Sequence, residues 1–319
     1  MLAALYRSPG GSEVLSVTDV DTPEPAPGEV RVRLHVAGVN PTDWKRRTTT
    51  APETDFQVPG QDGAGDIDAV GEGVDAGRIG ERVWVWFAAR PGRRWGSAAQ
   101  YTVLPSRQAV RLPAGASYAD GAGLGVPAMT AWHCLYADGP ITGRTVLVAG
   151  GAGAVGNAAV ALARGGGATV IATASGPDKA ALARSAGAHW VVNYRDRDAA
   201  DEIRAHAPDG VGRIVEVALG ANLELDLAVL APRGVISTYA DDALADLPVR
   251  RLMVANVSLD FVLIYGISDG ALDAAAAGVA AVAADLPRLP VTHFPLVEVA
   301  AAHDAVQQGA LGKVLLDIP

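Results

Sequence analysis

The chain has 319 residues, half of them hydrophobic and 19% charged, with a formal net charge of −9. That length suggests about two domains with substantial cores, and the acidic balance argues against a nucleic-acid backbone or an anionic membrane as the main partner. Cys134 is the only cysteine, which excludes an internal disulfide framework and any multi-thiolate metal site and is compatible with a reducing compartment.

Met1–Arg7 has neither a basic start nor an apolar core, so no secretory signal is expected and a cytoplasmic location is the expectation. The first 120 residues read as strands and turns. Residues 31–36 alternate in polarity and predict a half-buried strand, and 82–86 predict another. The runs 60–65 and 71–73 are rich in glycine and read as turns. Pro23, Pro25, Pro27, Pro41, Pro52 and Pro59 disfavour long helices. A small β-rich domain, a barrel, is expected here.

From about residue 122 the texture changes to alternating strand and helix. Strands are predicted at 145–149, 169–174, 190–192, 213–217, 234–239 and 257–263, with helices such as 155–164 and 179–186 between them. This predicts a doubly wound parallel sheet, an α/β fold of the Rossmann type. The Ala-rich stretch 271–286 carries Asp273 and Asp285 and is too short to span a bilayer, so a soluble helix is expected. A strand at 291–294, a helix near 297–308 and a strand at 313–317 follow and exceed the six-strand count.

Residues 146–156 read Val-Leu-Val-Ala-Gly-Gly-Ala-Gly-Ala-Val-Gly. Gly151, Gly153 and Gly156 fit G-x-G-x-x-G between a predicted strand and a predicted helix. The first glycine is expected to allow a tight turn, the second to let backbone approach a pyrophosphate, and the third to let helix and strand pack closely. The helix that follows is expected to point its unpaired N–H groups at the phosphates. The second strand ends Ala172-Thr173-Ala174-Ser175, with no acid to hold a ribose 2′-hydroxyl. Ser175 and Lys179, with Tyr194 after the third strand, suit a 2′-phosphate, so NADPH is the expected cofactor. Alternatively Ser175 caps a helix and Lys179 is solvated.

At this point the residues match a family. Ala37-Gly38-Val39-Asn40-Pro41-Thr42-Asp43, Pro59-Gly60-Gln61-Asp62-Gly63-Ala64-Gly65, Ala69-Val70-Gly71 and Gly80-Glu81-Arg82-Val83-Trp84 carry the likeness. The glycine loop, Gly187-Ala188 with Asn193-Tyr194, and Gly312-Lys313-Val314-Leu315-Leu316 complete it. The chain resembles the zeta-crystallin-like quinone oxidoreductases of the medium-chain dehydrogenase/reductase superfamily, nearly end to end. The resemblance implies a GroES-like β domain from residues 1–121 and 267–319, a Rossmann domain from 122–266, an active-site cleft between them, and a homodimer. It also implies a phosphate-binding loop at Gly151, Ala152, Gly153, Ala154 and Val155, and further cofactor contacts at Asn40, Thr130, Tyr239, Phe261 and Lys313. Thr130 could equally cap a helix, Phe261 pack in a core and Lys313 end a strand in solvent.

Zinc alcohol dehydrogenases of the same superfamily need converging cysteine and histidine ligands. Here Asn40, Asp43 and Gln61-Asp62 occupy the corresponding stretches, and the six histidines are scattered singly. A metal-free enzyme is expected. Hydride transfer then needs an acceptor with its own electron demand, a quinone or an enone. Negative charge grows on the acceptor oxygen, and Asn40 and Lys45 are the candidate catalytic donors. Each could instead be structural, Asn40 bracing a turn and Lys45 solvated; relatives often carry tyrosine near position 45. The aromatic and basic stretch 86–96 could form a lid over the acceptor or a solvated loop. Quinone reduction leads. The alternatives are an enone or enoyl reductase, or a non-catalytic NADPH- or RNA-binding crystallin-like protein.

Overall fold

The structure is a computed structural model that describes residues 1–241 and 246–319. It divides into two compact units, one of residues 1–126 with 290–319 and one of 127–289.

The first unit is built on a seven-stranded sheet. Its order is Val291–Pro295, Lys313–Asp317, Glu29–Val39, Asp62–Val70, Arg82–Val85, Ala109–Arg111, with Tyr101–Pro105 also pairing Glu29–Val39. Only the first two strands run parallel. The alternation read at 31–36 belongs to the longer strand Glu29–Val39, whose Val30, Val32 and Leu34 face the core. The run 60–65 is a correction. Gly63 and Gly65 lie inside the strand Asp62–Val70 rather than in a turn. A Cβ on Gly65 would stand 1.9 Å from the Arg33 carbonyl oxygen, and one on Gly63 would stand 2.9 Å from Leu34 Cδ2. These glycines serve close strand approach, not reversal. Pro41 likewise does not bar a helix. It opens Pro41–Thr49 from the first turn, where its fixed φ and missing N–H cost nothing.

The second unit holds six parallel strands in the order Trp190–Val192, Thr169–Thr173, Thr145–Val148, Val211–Glu216, Leu230–Thr238, Ser258–Phe261. In chain order this is 3-2-1-4-5-6, the doubly wound dinucleotide fold. Val146 and Val148 enter one core with Val160, Ala163 and Val170. Leu147 and Ile171 enter another with Ile203, Ile214 and Leu223. Both faces of the central strands are thus covered, which is why they read as continuous apolar runs.

The unit boundaries differ from the expected 121 and 267. Gly125 packs against Asp62, and Val126 N–H donates to Asp62 Oδ1 at 2.9 Å, so the first unit extends to residue 126. The Ala-rich helix Asp269–Val282 stays with the second unit, and the chain returns at residue 290. Its Leu272, Ala275, Ala276 and Val279 are buried, and it packs on the helix Met129–Tyr136. A Cβ on Gly278 would lie 2.0 Å from Trp132 Nε1. Among the described residues no helix is long and apolar enough to cross a membrane. Gly278→Leu is expected to overpack this contact and to destabilise the protein by about 1–3 kcal/mol, read as a lower denaturation midpoint in urea.

Candidate active site

The strand Thr145–Val148 runs into the glycine loop, and the helix Ala154–Gly165 leaves it. Gly150 takes φ +67°, so the left-handed turn falls one residue before the glycine expected to make it. Gly151 serves packing instead: a Cβ there would stand 2.8 Å from Ala172 Cβ and 3.1 Å from Ala183 Cβ. Gly156 does what its place in the motif implies, since a Cβ would lie 2.3 Å from the Gly150 carbonyl oxygen. The loop is tied to the next strand. Gly151 N–H donates to the Thr173 carbonyl at 3.0 Å, and Gly150 N–H donates to Thr173 Oγ1 at 3.2 Å.

Gly153 is the residue before the helix. It is exposed, has no side chain to cap the helix, and its nearest neighbour for an added Cβ is Gly150 O at 3.5 Å. The first N–H groups of the helix therefore lack intrahelical acceptors and side-chain caps alike. Such an end attracts phosphate oxygens through aligned donors and the helix dipole. Ala152 is buried beneath the loop, and Ala154 and Val155 are half-buried. This cradle fits a pyrophosphate.

Ser175 and Tyr194 follow the neighbouring strands Thr169–Thr173 and Trp190–Val192, which are joined beyond their ends by Ala174 N–H donating to the Val192 carbonyl at 3.1 Å. The residue before the helix Pro177–Ser185 is Gly176, so Ser175 is not its cap. The side chains of Ser175 and Lys179 make no hydrogen bond or ion pair among the described residues, and Lys179 is exposed. Tyr194 is exposed beside Arg195, whose guanidinium carbon stands 5.7 Å from the ring centroid. A hydroxyl and a phenol just past adjacent strands, with an ammonium in the first turn of the helix Pro177–Ser185, suit a 2′-phosphate.

The remaining expected contacts are dispersed. Thr130 is buried within Met129–Tyr136 and does not cap that helix, which follows Ala128. Tyr239 lies just past the strand Leu230–Thr238, and burial pushes its phenol well up. Phe261 is 70% exposed, so it is not packed in a core. It ends an edge strand that pairs on one side only among the described residues.

In the first unit, Asn40 and Lys313 meet. Lys313 Nζ donates to Asn40 Oδ1 at 2.6 Å and to the Val39 carbonyl at 3.2 Å. Asn40 Nδ2 donates to Asp62 Oδ2 at 2.7 Å, and Asn40 N–H donates to Asp43 Oδ2 at 2.8 Å. All four residues are buried. Lys313 is not the solvated strand end it could have been. Burial pushes both carboxyls up, Asp43 to about 7, and pushes the ammonium down. Burying such charges costs several kcal/mol per ion unless they are paired, so this cluster is assembled against a penalty. Sequence reading missed Asp62 and Asp43 as members. An acid flanked by Gly60 and Gly63 reads as a turn residue, and only strand pairing reveals where it points.

Lys45 is exposed on the helix Pro41–Thr49, with its ammonium 6.0 Å from the Trp44 ring. The stretch 86–96 is not simply a solvated loop. Trp86, Phe87 and Ala88 are fully buried, and Phe87 adopts φ +56°. Trp95 meets Phe56 edge to face at 5.5 Å. Arg94 pairs with Asp55 at 2.8 Å, and Arg93 Nη1 donates to Gln108 Oε1 at 2.7 Å. Its aromatic and basic groups are thus spent within the first unit. Among the described residues no three His, Cys, Asp or Glu side chains converge as metal ligands.

Comparison with known proteins bears on these features. The zinc-binding dehydrogenase family model matches residues 154–277, and the alcohol dehydrogenase GroES-like domain model matches 26–114. Quinone oxidoreductases of Lama guanicoe and Homo sapiens are 31% and 29% identical, each over 96% of this chain and 94% of the relative. A phthioceranic/hydroxyphthioceranic acid synthase of Mycobacterium tuberculosis is 32% identical over 98% of this chain, a match spanning 15% of that protein. A crystal structure of an NAD-dependent alcohol dehydrogenase covers 100% of both chains with a TM-score of 0.90 and 28% identity. A mycobacterial protein complexed with NADPH covers 99% of both with 0.84 and 26%. A GroES-like unit formed by both chain ends, with a six-stranded parallel dinucleotide unit, defines a medium-chain dehydrogenase/reductase, an oxidoreductase enzyme. Within that superfamily the chain belongs to the quinone oxidoreductase family.

A second buried acid pair stands in the dinucleotide unit. Glu216 ends the strand Val211–Glu216, and its Oε1 accepts from Asn222 Nδ2 at 2.9 Å. Asp226 lies beside it on the helix Leu219–Val229, and burial with the Glu216 charge pushes its carboxyl up to about 9. Among the described residues Glu216 Oε2 and Asp226 Oδ2 have no donor, so the pair needs a shared proton. Asp226 binds its proton more tightly folded than unfolded, where its pKa is about 3.9. Its contribution to stability is therefore complete at low pH and is lost as pH rises from about 4 through 9. Asp226→Asn, whose amide can donate to Glu216, is expected to be more stable than the parent at pH 9 by a few kcal/mol, with the gap closing toward pH 4. Urea denaturation of both proteins across that range measures it.

Proposed function

We propose that this protein is an NADPH-dependent reductase that passes hydride to a quinone without a metal, and that it works in the cytoplasm as a homodimer. The observation that carries the reading is the uncapped helix end at Gly153 together with Ser175, Lys179 and Tyr194. No carboxylate stands at the end of the strand Thr169–Thr173 where a cofactor lacking the 2′-phosphate would be held, the first acid beyond it being Asp178 in the next helix, although one structural neighbour is an NAD-dependent enzyme.

The backbone donors of Gly151–Val155 would hold the pyrophosphate, and Ser175, Lys179 and Tyr194 the 2′-phosphate, with Thr130, Tyr239, Phe261, Asn40 and Lys313 as further contacts. When bound, NADPH supplies a hydride. The acceptor oxygen then gains negative charge, and an N–H aimed at it lowers the barrier. Asn40 has one Nδ2 hydrogen left for that task after its bond to Asp62. Lys45 supplies a positive charge on the same helix, and solvent water completes protonation. The donor set supports metal-free chemistry: Asn40 and Gln61-Asp62 offer no imidazole or thiolate.

A second reading, reduction of an enone or enoyl substrate, is favoured by the likeness to one segment of the mycobacterial synthase. Both reactions place hydride beside an electron-poor carbonyl. The acidic net charge supports neither RNA binding nor membrane attachment.

NADPH oxidation at 340 nm with an ortho-quinone, a para-quinone and a simple enone separates the readings. Quinone turnover is expected. Enone turnover alone would favour the second reading, and tight NADPH binding with no turnover would favour a non-catalytic role. Lys179→Ala is expected to weaken NADPH binding about tenfold while leaving NADH nearly unchanged. For the homodimer, Phe261→Asp at the open sheet edge is expected to halve the mass seen by light scattering; a parent already monomeric would contradict it.

A further inference from the structure

We propose that Asp62 and Lys313 are positioning residues that lock the side-chain amide of Asn40 in one orientation, leaving a single Nδ2 hydrogen for the acceptor oxygen or the cofactor. The inference rests on the reading that Asn40 faces the reaction.

The argument starts from donor and acceptor chemistry. An ammonium can only donate, and a carboxylate can only accept. Lys313 Nζ sits on Asn40 Oδ1 at 2.6 Å, and Asp62 Oδ2 sits on Asn40 Nδ2 at 2.7 Å. Turning the amide over would set N–H against ammonium and oxygen against carboxylate. Both contacts would become repulsive inside a buried site, where such terms are largest. The two charges are themselves 4.0 Å apart, so the amide is the direct bridge between them.

The rest of the site fixes the lock in place. Asp62 Oδ1 accepts from Val126 N–H at 2.9 Å, Lys313 Nζ also donates to Val39 O, and Asp43 holds Asn40 N–H. Space has been left for both charged side chains. A Cβ on Gly125 would stand 2.1 Å from Asp62 Oδ1, and one on Gly38 would stand 2.2 Å from the Ala122 carbonyl oxygen and 3.0 Å from Lys313 Cε. Two glycines from separate segments thus flank the pair. A buried ion pair is weak evidence for stability, since well-packed apolar residues of similar volume often serve as well. An ion pair threaded through an amide has a different use: it makes one of two near-isosteric amide orientations the favoured one.

Nitrogen-15 spectra of the nucleotide-free protein test the lock without any turnover. The Asn40 side-chain signals are those lost in Asn40→Ser. Two well-separated Nδ2 protons with slow exchange are expected in the parent, and a narrowed pair with faster exchange in both Asp62→Asn and Lys313→Met. Unchanged signals in these variants would overturn the proposal. Should Asp62→Asn fail to fold, Lys313→Met decides the matter. In kinetics, Asp62→Asn is expected to lower kcat about tenfold or more with the acceptor KM within about threefold. The double variant Asn40→Ala/Asp62→Asn should be no slower than Asn40→Ala alone, because Asp62 acts through Asn40. Losses that multiply would also overturn it. A parent that binds no NADPH would sink the functional reading instead, and the amide signals would still decide the lock.

Discussion

The helix Ala154–Gly165 can approach the strand Thr145–Val148 only because Gly156 carries no side chain over the Gly150 carbonyl. The left-handed turn at Gly150 and the close contact of Gly151 with Ala172 and Ala183 complete that junction. With the helix seated so closely, its first N–H groups emerge at the ends of the parallel strands without a capping side chain. That is where an open parallel sheet binds ligands. The dinucleotide unit is organised around this one contact, and its two apolar cores hold the strands that present it.

The first unit is organised differently. Its polar cluster is made of buried charges rather than exposed backbone. Asn40, Asp43, Asp62 and Lys313 come from a helix entry, a helix and the starts of two strands, and their desolvation is offset by mutual contact. Burial, with the neighbouring Asp62 carboxyl adding to it, pushes the Asp43 carboxyl up to about 7. The stretch 86–96 shows the same economy. It carries enough aromatic and basic groups to cover a ligand, yet Phe56, Asp55 and Gln108 engage them.

The parallel sheet was legible because fully covered strands read as uninterrupted Val, Leu and Ile, and the glycine spacing marked the helix that follows the first of them. Ser175 and Tyr194 could be placed after strand ends because those strands were readable. What stayed hidden depended on pairing between distant segments. Gly63 and Gly65 looked like turn residues, and only the approach of Arg33 and Leu34 explains them as strand glycines. Asp62 looked like a turn acid until Asn40, Val126 and Lys313 closed around it. The helix Asp269–Val282 joined the second unit because of a steric fit between Gly278 and Trp132 that no periodicity announces.

Titration calorimetry with NADPH, on the parent and on Gly153→Val, tests the central claim most directly. Gly153 has extended backbone angles that valine tolerates, and its added Cβ meets nothing closer than 3.5 Å. The account predicts saturable binding to the parent, weakened about tenfold or more in the variant with the melting temperature kept. Equal affinity in both proteins, or no affinity of the parent for either pyridine nucleotide, would contradict it.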